Sequence, residues 1–330
     1  MFKKISRLFL SALIVFSLFS CASTQVPVSK DGKAVLTKED NQMFWTINGT
    51  DKNGKPSTIY VLGTFHAGDD RIYPLTEEAE KAFKKSDRYA SEIATDEYLN
   101  IAQTTQTLMF QSIQRETKRI EETQHTWFEQ LTPEQLQFLG TLVQTPEELG
   151  VYASCEPWAL NSVLQIIPIM LTSLVNPEHP LDPNNGLDDK LINRLNEKGI
   201  KTIGLDTSDL QFDIITFGSY EQQIDMVKSS IDELLKDATN IVQDLIDLYE
   251  GYITGDVEKV SELMDKDNAK NDKDYEKELN KLIITDRNVK WAKTFEEFLN
   301  EGGTTFIFAG CAHFVGDDSV FAHMKENGVL

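Results

Sequence analysis

The 330-residue chain is 40% apolar, enough for a sizeable core, and carries 53 acidic against 32 basic residues, a formal net charge of −21. Such a surface repels nucleic acid and anionic lipid headgroups, so no nucleic-acid partner is expected. Three cysteines do not make a disulfide framework.

Lys3, Lys4 and Arg7 precede an apolar run from Leu8 to Ser20, too short to span a bilayer comfortably. This is the pattern of a signal peptide over residues 1–20. Leu18-Phe19-Ser20-Cys21 resembles a bacterial lipobox, with Phe19 bulkier than usual at its position. Cleavage before Cys21 gives a lipidated cysteine, palmitate being the usual kind of acyl chain. The domain is then expected outside the cytoplasm, lipid-anchored to a bacterial membrane in the cell envelope. Residues 21–40 are polar and read as a flexible tether. Residues 41–330 read as one domain. Cys155 and Cys311 then remain, as two buried thiols or one bridge.

Met43 to Ile47 and Thr58 to Leu62 are strand-like, and Asp51 to Pro56 between them is turn chemistry, which predicts a hairpin. The second strand runs into Gly63-Thr64-Phe65-His66. Thr76 is an N-cap with Glu77 and Glu78 in the first turn, and a strand follows at Arg88 to Ile93. From Asp96 to Val175 the pattern is helical, with paired starts at Thr132-Pro133 and Thr145-Pro146. Trp158 to Val175 reads as a buried helix rather than a membrane span, because Asn161, Gln165, Pro168, Thr172 and Ser173 interrupt it. After a loop over 176–185 come a helix from Leu187, a strand at Thr202 to Leu205, and helices from Tyr220 to about Asn300. Thr304 to Ala309 is a buried strand opening into Gly310-Cys311-Ala312-His313, and a helix from Asp317 to Asn327 closes the chain. The fold class is α/β (α+β): a central mixed sheet carrying two Gly-x-x-His turns, with helical insertions at about 96–184 and 220–284.

The two Gly-x-x-His units are the sharpest chemical signal. Each histidine follows an apolar strand by a glycine-opened turn, and strand ends are where α/β proteins place ligands. Two imidazoles so delivered can converge on one metal ion, which makes His66 and His313 candidate ligands. Glu92 lies within the mostly apolar or small stretch Tyr89 to Ile93, where a carboxylate is costly unless paired or bound to a cation. It is a candidate third ligand or general base. Arg287, with Trp291 one turn on, lies on a helix and can orient a carboxylate or stabilise an oxyanion. His125, His179 and His323 read as surface residues.

These residues resemble the TraB/PrgY/GumN family, which includes the animal TIKI proteins. The string Ile59-Tyr60-Val61-Leu62-Gly63-Thr64-Phe65-His66 with Tyr73-Pro74-Leu75 looks like its opening motif. Glu92, Pro157-Trp158, Gly186-Leu187-Asp188, Gly204-Leu205-Asp206-Thr207, Gln222-Gln223 and Arg287-Asn288 fall in the family's order. Ala309 to Gly316 looks like its second histidine motif. Asp206 stands where the family usually has Glu, a shorter reach. The resemblance implies a sheet core with two Gly-x-x-His turns. It also implies, through the TIKI members, divalent-metal protease activity favouring manganese or cobalt. PrgY and TraB members are linked to shutting off peptide pheromones, and GumN to polysaccharide gene clusters.

The leading expectation is a metal-dependent hydrolase, a peptidase acting on an extracytoplasmic peptide or protein, with manganese, cobalt or zinc as cofactor. In it His66 and His313 bind the ion, Glu92 is a ligand or base, and Arg287 holds Glu92 or a substrate carboxylate. The alternative is a non-catalytic lipoprotein that binds haem, as folds of the ChaN type do, or sequesters a peptide. A third ligand near both histidines favours hydrolysis, and an open apolar slot without a convergent carboxylate favours binding.

Overall fold

The computed structural model describes residues 32–39, 42–98, 100–143, 145–269 and 273–330. The expected signal peptide, Cys21 and the start of the tether lie outside the described residues. Among the described residues six strands form one sheet: β1 (Val35–Lys38), β2 (Phe44–Thr50), β3 (Pro56–Thr64), β4 (Arg88–Ile93), β5 (Ile203–Asp206) and β6 (Gly303–Gly310), in the spatial order β1-β2-β3-β6-β4-β5. β1 falls inside the expected tether, so the ordered fold begins before residue 40. β1, β2 and β3 are antiparallel, and β3, β6, β4 and β5 run parallel.

The parallel half decides where chemistry can sit. β6, the last strand in the chain, inserts between β3 and β4, and Thr64 pairs with Gly310 at the carboxyl end. Ile93 of β4 pairs with Asp206 of β5 at the same edge. All four parallel strands therefore end together, at the edge where such sheets bind ligands. β6 can occupy the centre because Phe306, Ile307, Phe308 and Ala309 are buried on both faces. A continuous apolar run suits a strand covered on both sides, and each large side chain contributes about 1.5–3 kcal/mol on burial.

Helices cover the sheet and build a second core. Helix Glu77–Lys85 starts at Thr76, whose hydroxyl accepts from the Ala79 N–H, and buries Ala79, Ala82 and Phe83. Residues Trp127, Leu131, Leu139, Leu160, Leu164 and Ile167 join Ile224 to Leu234 in a separate apolar cluster away from the sheet. Helix Tyr220–Thr254 spans both cores. Its first half enters the helical cluster, and Tyr249 and Tyr252 enter the sheet core. Its backbone breaks at Asp237 (φ −151°, ψ 33°), between the two.

The segment expected as one buried helix differs. It forms two helices, Pro157–Leu164 and Ile167–Val175. Pro168 cannot donate an N–H to the preceding turn, so the first helix stops before it. By composition and length the 157–175 stretch could cross a membrane, but a third of it is buried in the fold. The second helix turns Met170 (59% exposed) and Leu174 (77% exposed) outward, so it is half-buried rather than core. Cys155 and Cys311 are both free and buried, in different apolar clusters. Burial pushes the Cys311 thiol up to about 12.

Candidate active site

The carboxyl edge of the parallel strands brings four expected residues together. His66 follows β3 by two residues, and His313 lies in the turn Cys311–Phe314 after β6. Glu92 is the second-last residue of β4. Arg287 reaches them from the first turn of helix Asp286–Glu301. A Cβ placed on Gly310 would lie 3.1 Å from Glu92 Oε1, 3.7 Å from His66 Nε2 and 3.8 Å from His313 Cδ2. Glycine at 310 thus leaves open the point where the three side chains converge.

Each imidazole is held from behind. His66 Nδ1 lies 3.0 Å from Asp188 Oδ2, an ion-pair contact short of good hydrogen-bond alignment. Thr64 Oγ1 donates to Asp188 Oδ1 at 2.6 Å. The Asp188 carboxylate raises the His66 value above its ordinary 6.5 against the opposing effect of burial. The His66 side chain keeps 72% of its surface open in the cleft, so water screens that pairing. His313 is 3% exposed, and its Nδ1 is 2.7 Å from Asn288 Oδ1. The Asn288 amide N–H donates to the Asp318 carbonyl at 2.6 Å, which turns Oδ1 toward the imidazole. His313 therefore carries its proton on Nδ1 and leaves Nε2 as a lone pair. Burial, then the Arg287 charge, pushes His313 down to about 4.

Glu92 and Arg287 form the charged floor. Gly310 N–H donates to Glu92 Oε1 at 2.7 Å, and Arg287 Nη2 donates to Glu92 Oε2 at 2.6 Å. Arg287 Nε donates to Asp206 Oδ2 at 2.7 Å, and Nη1 to the Ile283 carbonyl at 3.0 Å. Asp206 also accepts from Trp291 Nε1 (3.0 Å) and Lys290 Nζ (3.2 Å). The shorter Asp206 thus anchors Arg287 rather than facing the cleft. Burial would raise Glu92, but the charges of His66 and Arg287 and the Gly310 N–H outweigh it and hold Glu92 well below the usual carboxylate range.

Among the described residues, no group of three or more His, Cys, Asp or Glu is closed tightly enough to hold a metal ion. The ligand set expected at His66, Glu92 and His313 converges but is not preassembled around a metal position. His125 is exposed and His179 half-exposed, as expected. His323 is not a free surface residue. Its ring is 17% exposed, with Nε2 2.8 Å from Asp318 and Nδ1 3.2 Å from Glu326.

The TraB/PrgY/gumN family matches residues 43–330. The chain belongs to that family. A relative from Treponema pallidum (strain Nichols), described only as an uncharacterized protein, is 23% identical over 326 residues, 98% of this chain and 91% of that protein. No solved structure matches the chain. In this TraB/PrgY/gumN member, both Gly-x-x-His turns and the glutamate lie at one sheet edge. Asp188, Asn288 and Asp206, which stood in motifs without assigned roles, position them.

Two expectations test this arrangement. A Cβ on Gly186 would sit 2.7 Å from the His66 carbonyl oxygen, so Gly186→Ala must shift that backbone. Such overpacking costs about 1–3 kcal/mol. By moving His66 off Asp188 it should also weaken any metal affinity roughly 10–100-fold, read by calorimetry. The second concerns pH. The unfolded chain protonates His313 near 6.5 while the folded chain resists until about 4, so stability falls as pH drops through that window. Glu92, ordinarily 4.5 and held near 2, adds a second loss at lower pH. Urea midpoints should fall from about pH 6.5 downward, and His313→Gln should remove the upper part of the fall. A flat wild-type profile above about pH 5 would contradict it.

Proposed function

We propose that this protein is a metal-dependent hydrolase, a peptidase acting on a peptide or protein outside the cytoplasm and lipid-anchored through Cys21. One observation carries the reading. Both Gly-x-x-His imidazoles are held at Nδ1 by an oxygen acceptor, Asp188 or Asn288, beside one point at Gly310. Metal-ligating histidines are oriented in this way, by an acceptor on the nitrogen that does not bind the ion. His66 Nε2 and His313 Nε2 would hold the ion. Each Glu92 oxygen keeps a second lone pair beside its N–H partner, so the carboxylate can join them after a small movement. When bound, a divalent manganese, cobalt or zinc ion supplies Lewis acidity. Two imidazoles and a carboxylate suit the three about equally.

The remaining residues have separable tasks. Arg287, fixed by Asp206 and the Ile283 carbonyl, keeps Glu92 ionised and facing the imidazoles. Arg287 and the Gly310 N–H hold Glu92 below the usual carboxylate range, so it stays ionised beside the imidazoles, as a third ligand or as the base. Gly310 donates its N–H to Glu92 and leaves space in front of it. The haem-binding alternative needs an apolar slot. The adjoining cavity of about 290 Å³ carries three carboxylates, Glu92, Asp188 and Asp189, over its apolar floor.

The test is hydrolysis of a broad peptide library, before and after chelation and with manganese, cobalt or zinc restored. Cleavage abolished by chelation and restored by one ion supports the reading. Tight binding of intact peptides without metal-dependent cleavage would replace it with sequestration.

A further inference from the structure

The cavity next to Gly310 carries one charge that the hydrolase reading leaves unused. It is lined by His66, Ser91, Glu92, Tyr98, Asp188, Asp189 and Gln211 over an apolar floor of Ile93, Ile192 and Phe308, and among the described residues no lysine or arginine lines it. Glu92 is paired with Arg287, and Asp188 is contacted by His66 Nδ1 and accepts from Thr64 Oγ1. Asp189 receives only the Tyr98 hydroxyl, and among the described residues no basic side chain pairs with it. Asp189 lies in the first turn of helix Leu187–Glu197, where the helix dipole offsets part of its charge and leaves room for a cation to supply the rest.

A second observation points the same way. The Gln211 side chain lines this cavity, and its amide nitrogen is buried in the wall without a hydrogen-bond partner, so a rotation of the amide presents that donor to a guest. A buried donor left unmade costs about 1–3 kcal/mol. The wall therefore asks for two things at once, a cation for Asp189 and an acceptor for Gln211. A bare metal ion satisfies the first and not the second, since the Tyr98 hydroxyl and the Gln211 amide are donors. A peptide carries both groups, an ammonium and a carbonyl oxygen.

We propose that this cavity binds a primary ammonium group of a peptide, with Asp189 as its counter-ion and Gln211 donating to a neighbouring carbonyl. Asp189 is then a specificity-determining residue beside the two imidazoles. The ammonium is either the α-ammonium of a free N-terminus or the ε-ammonium of a lysine side chain. The volume of about 290 Å³ lies at the low end for small-molecule sites, so the cavity takes one end of a peptide rather than a long segment. The apolar floor suits a methylene stem. This assignment deepens the hydrolase reading and uses the same cleft, but binding alone tests it.

The experiment is calorimetric titration of the full chain, without added metal, with three probes: free Ala-Ala-Ala amide, acetyl-Lys-Ala-Ala amide and acetyl-norleucyl-Ala-Ala amide. At least one cationic probe should bind about tenfold or more tighter than the uncharged one. The preferred probe identifies the ammonium source. Asp189→Asn should reduce the preference to about twofold or less, and Asp189→Glu should restore it. Gln211→Leu, an independent variant should Asp189→Asn not fold, should weaken the preferred probe about tenfold. No preference in the wild type, or one that survives in folded Asp189→Asn or is untouched by Gln211→Leu, overturns the proposal. A protein that binds the cationic probe but cleaves nothing refutes only the hydrolase reading. One that cleaves peptides without charge preference refutes only this one.

Discussion

Arg287→Leu should lower the stability of the fold by about 3–5 kcal/mol, the cost of leaving a buried partner charge uncompensated. Arg287 is 5% exposed and bridges two carboxylates from neighbouring strand ends, Glu92 of β4 and Asp206 of β5. Its guanidinium also lies 4.8 Å from the centre of the Trp291 ring. Without it, Asp206 keeps Trp291 and Lys290, while Glu92 keeps only the Gly310 N–H and the nearby imidazoles. Arg287→Lys should recover little, because one ammonium cannot reproduce a planar fork that reaches two acids and a carbonyl. Glu92→Gln should also destabilise, since its amide nitrogen would face either the Gly310 N–H or the guanidinium. Urea denaturation of the three variants reads these differences. A loss under about 1 kcal/mol for Arg287→Leu would mean that the bridge is not the buried structural tie described here.

His66→Ala should do the opposite: little to stability and nearly everything to function. The ring is open to the cleft, and its Asp188 contact is screened, so its removal should change unfolding free energy by about 1 kcal/mol or less. Metal affinity should fall at least about 100-fold, because one of two oriented imidazoles is gone and alanine offers no donor. Turnover of any cleaved peptide should fall with it, by at least about 10–100-fold. The split distinguishes a functional His66 from a structural one. A variant equally unstable and equally inactive, or stable and fully active, would remove His66 from the site.

The parts of this arrangement that sequence reveals are those that one strand or one turn dictates. β4 is legible at Arg88–Ile93, and β6 announces itself as a bounded apolar run, because a strand buried on both faces needs no alternation. The Gly-x-x-His turns are legible for a similar local reason. Convergence at one edge depends on β6 inserting between β3 and β4, a pairing of distant segments that no window of sequence shows. The anchors are hidden for a related reason. Asp188 sits in the first turn of helix Leu187–Glu197, where an acidic residue is ordinarily explained by the helix dipole. Asn288 and Asp206 act through partners 25 and 81 residues away. The outward face of Ile167–Val175 was obscured by composition, since an apolar helix reads as buried whichever side it turns.

The central claim is that His66 and His313, each fixed at Nδ1, hold one divalent ion between them. Titration of the metal-free protein with manganese, cobalt and zinc, in wild type, His66→Ala and His313→Gln, tests it most directly. The expected result is one ion per chain in the wild type, with affinity reduced at least about 100-fold in either variant, whichever histidine is removed. Absence of stoichiometric binding by the wild type, or binding that survives the loss of either histidine, would contradict the account.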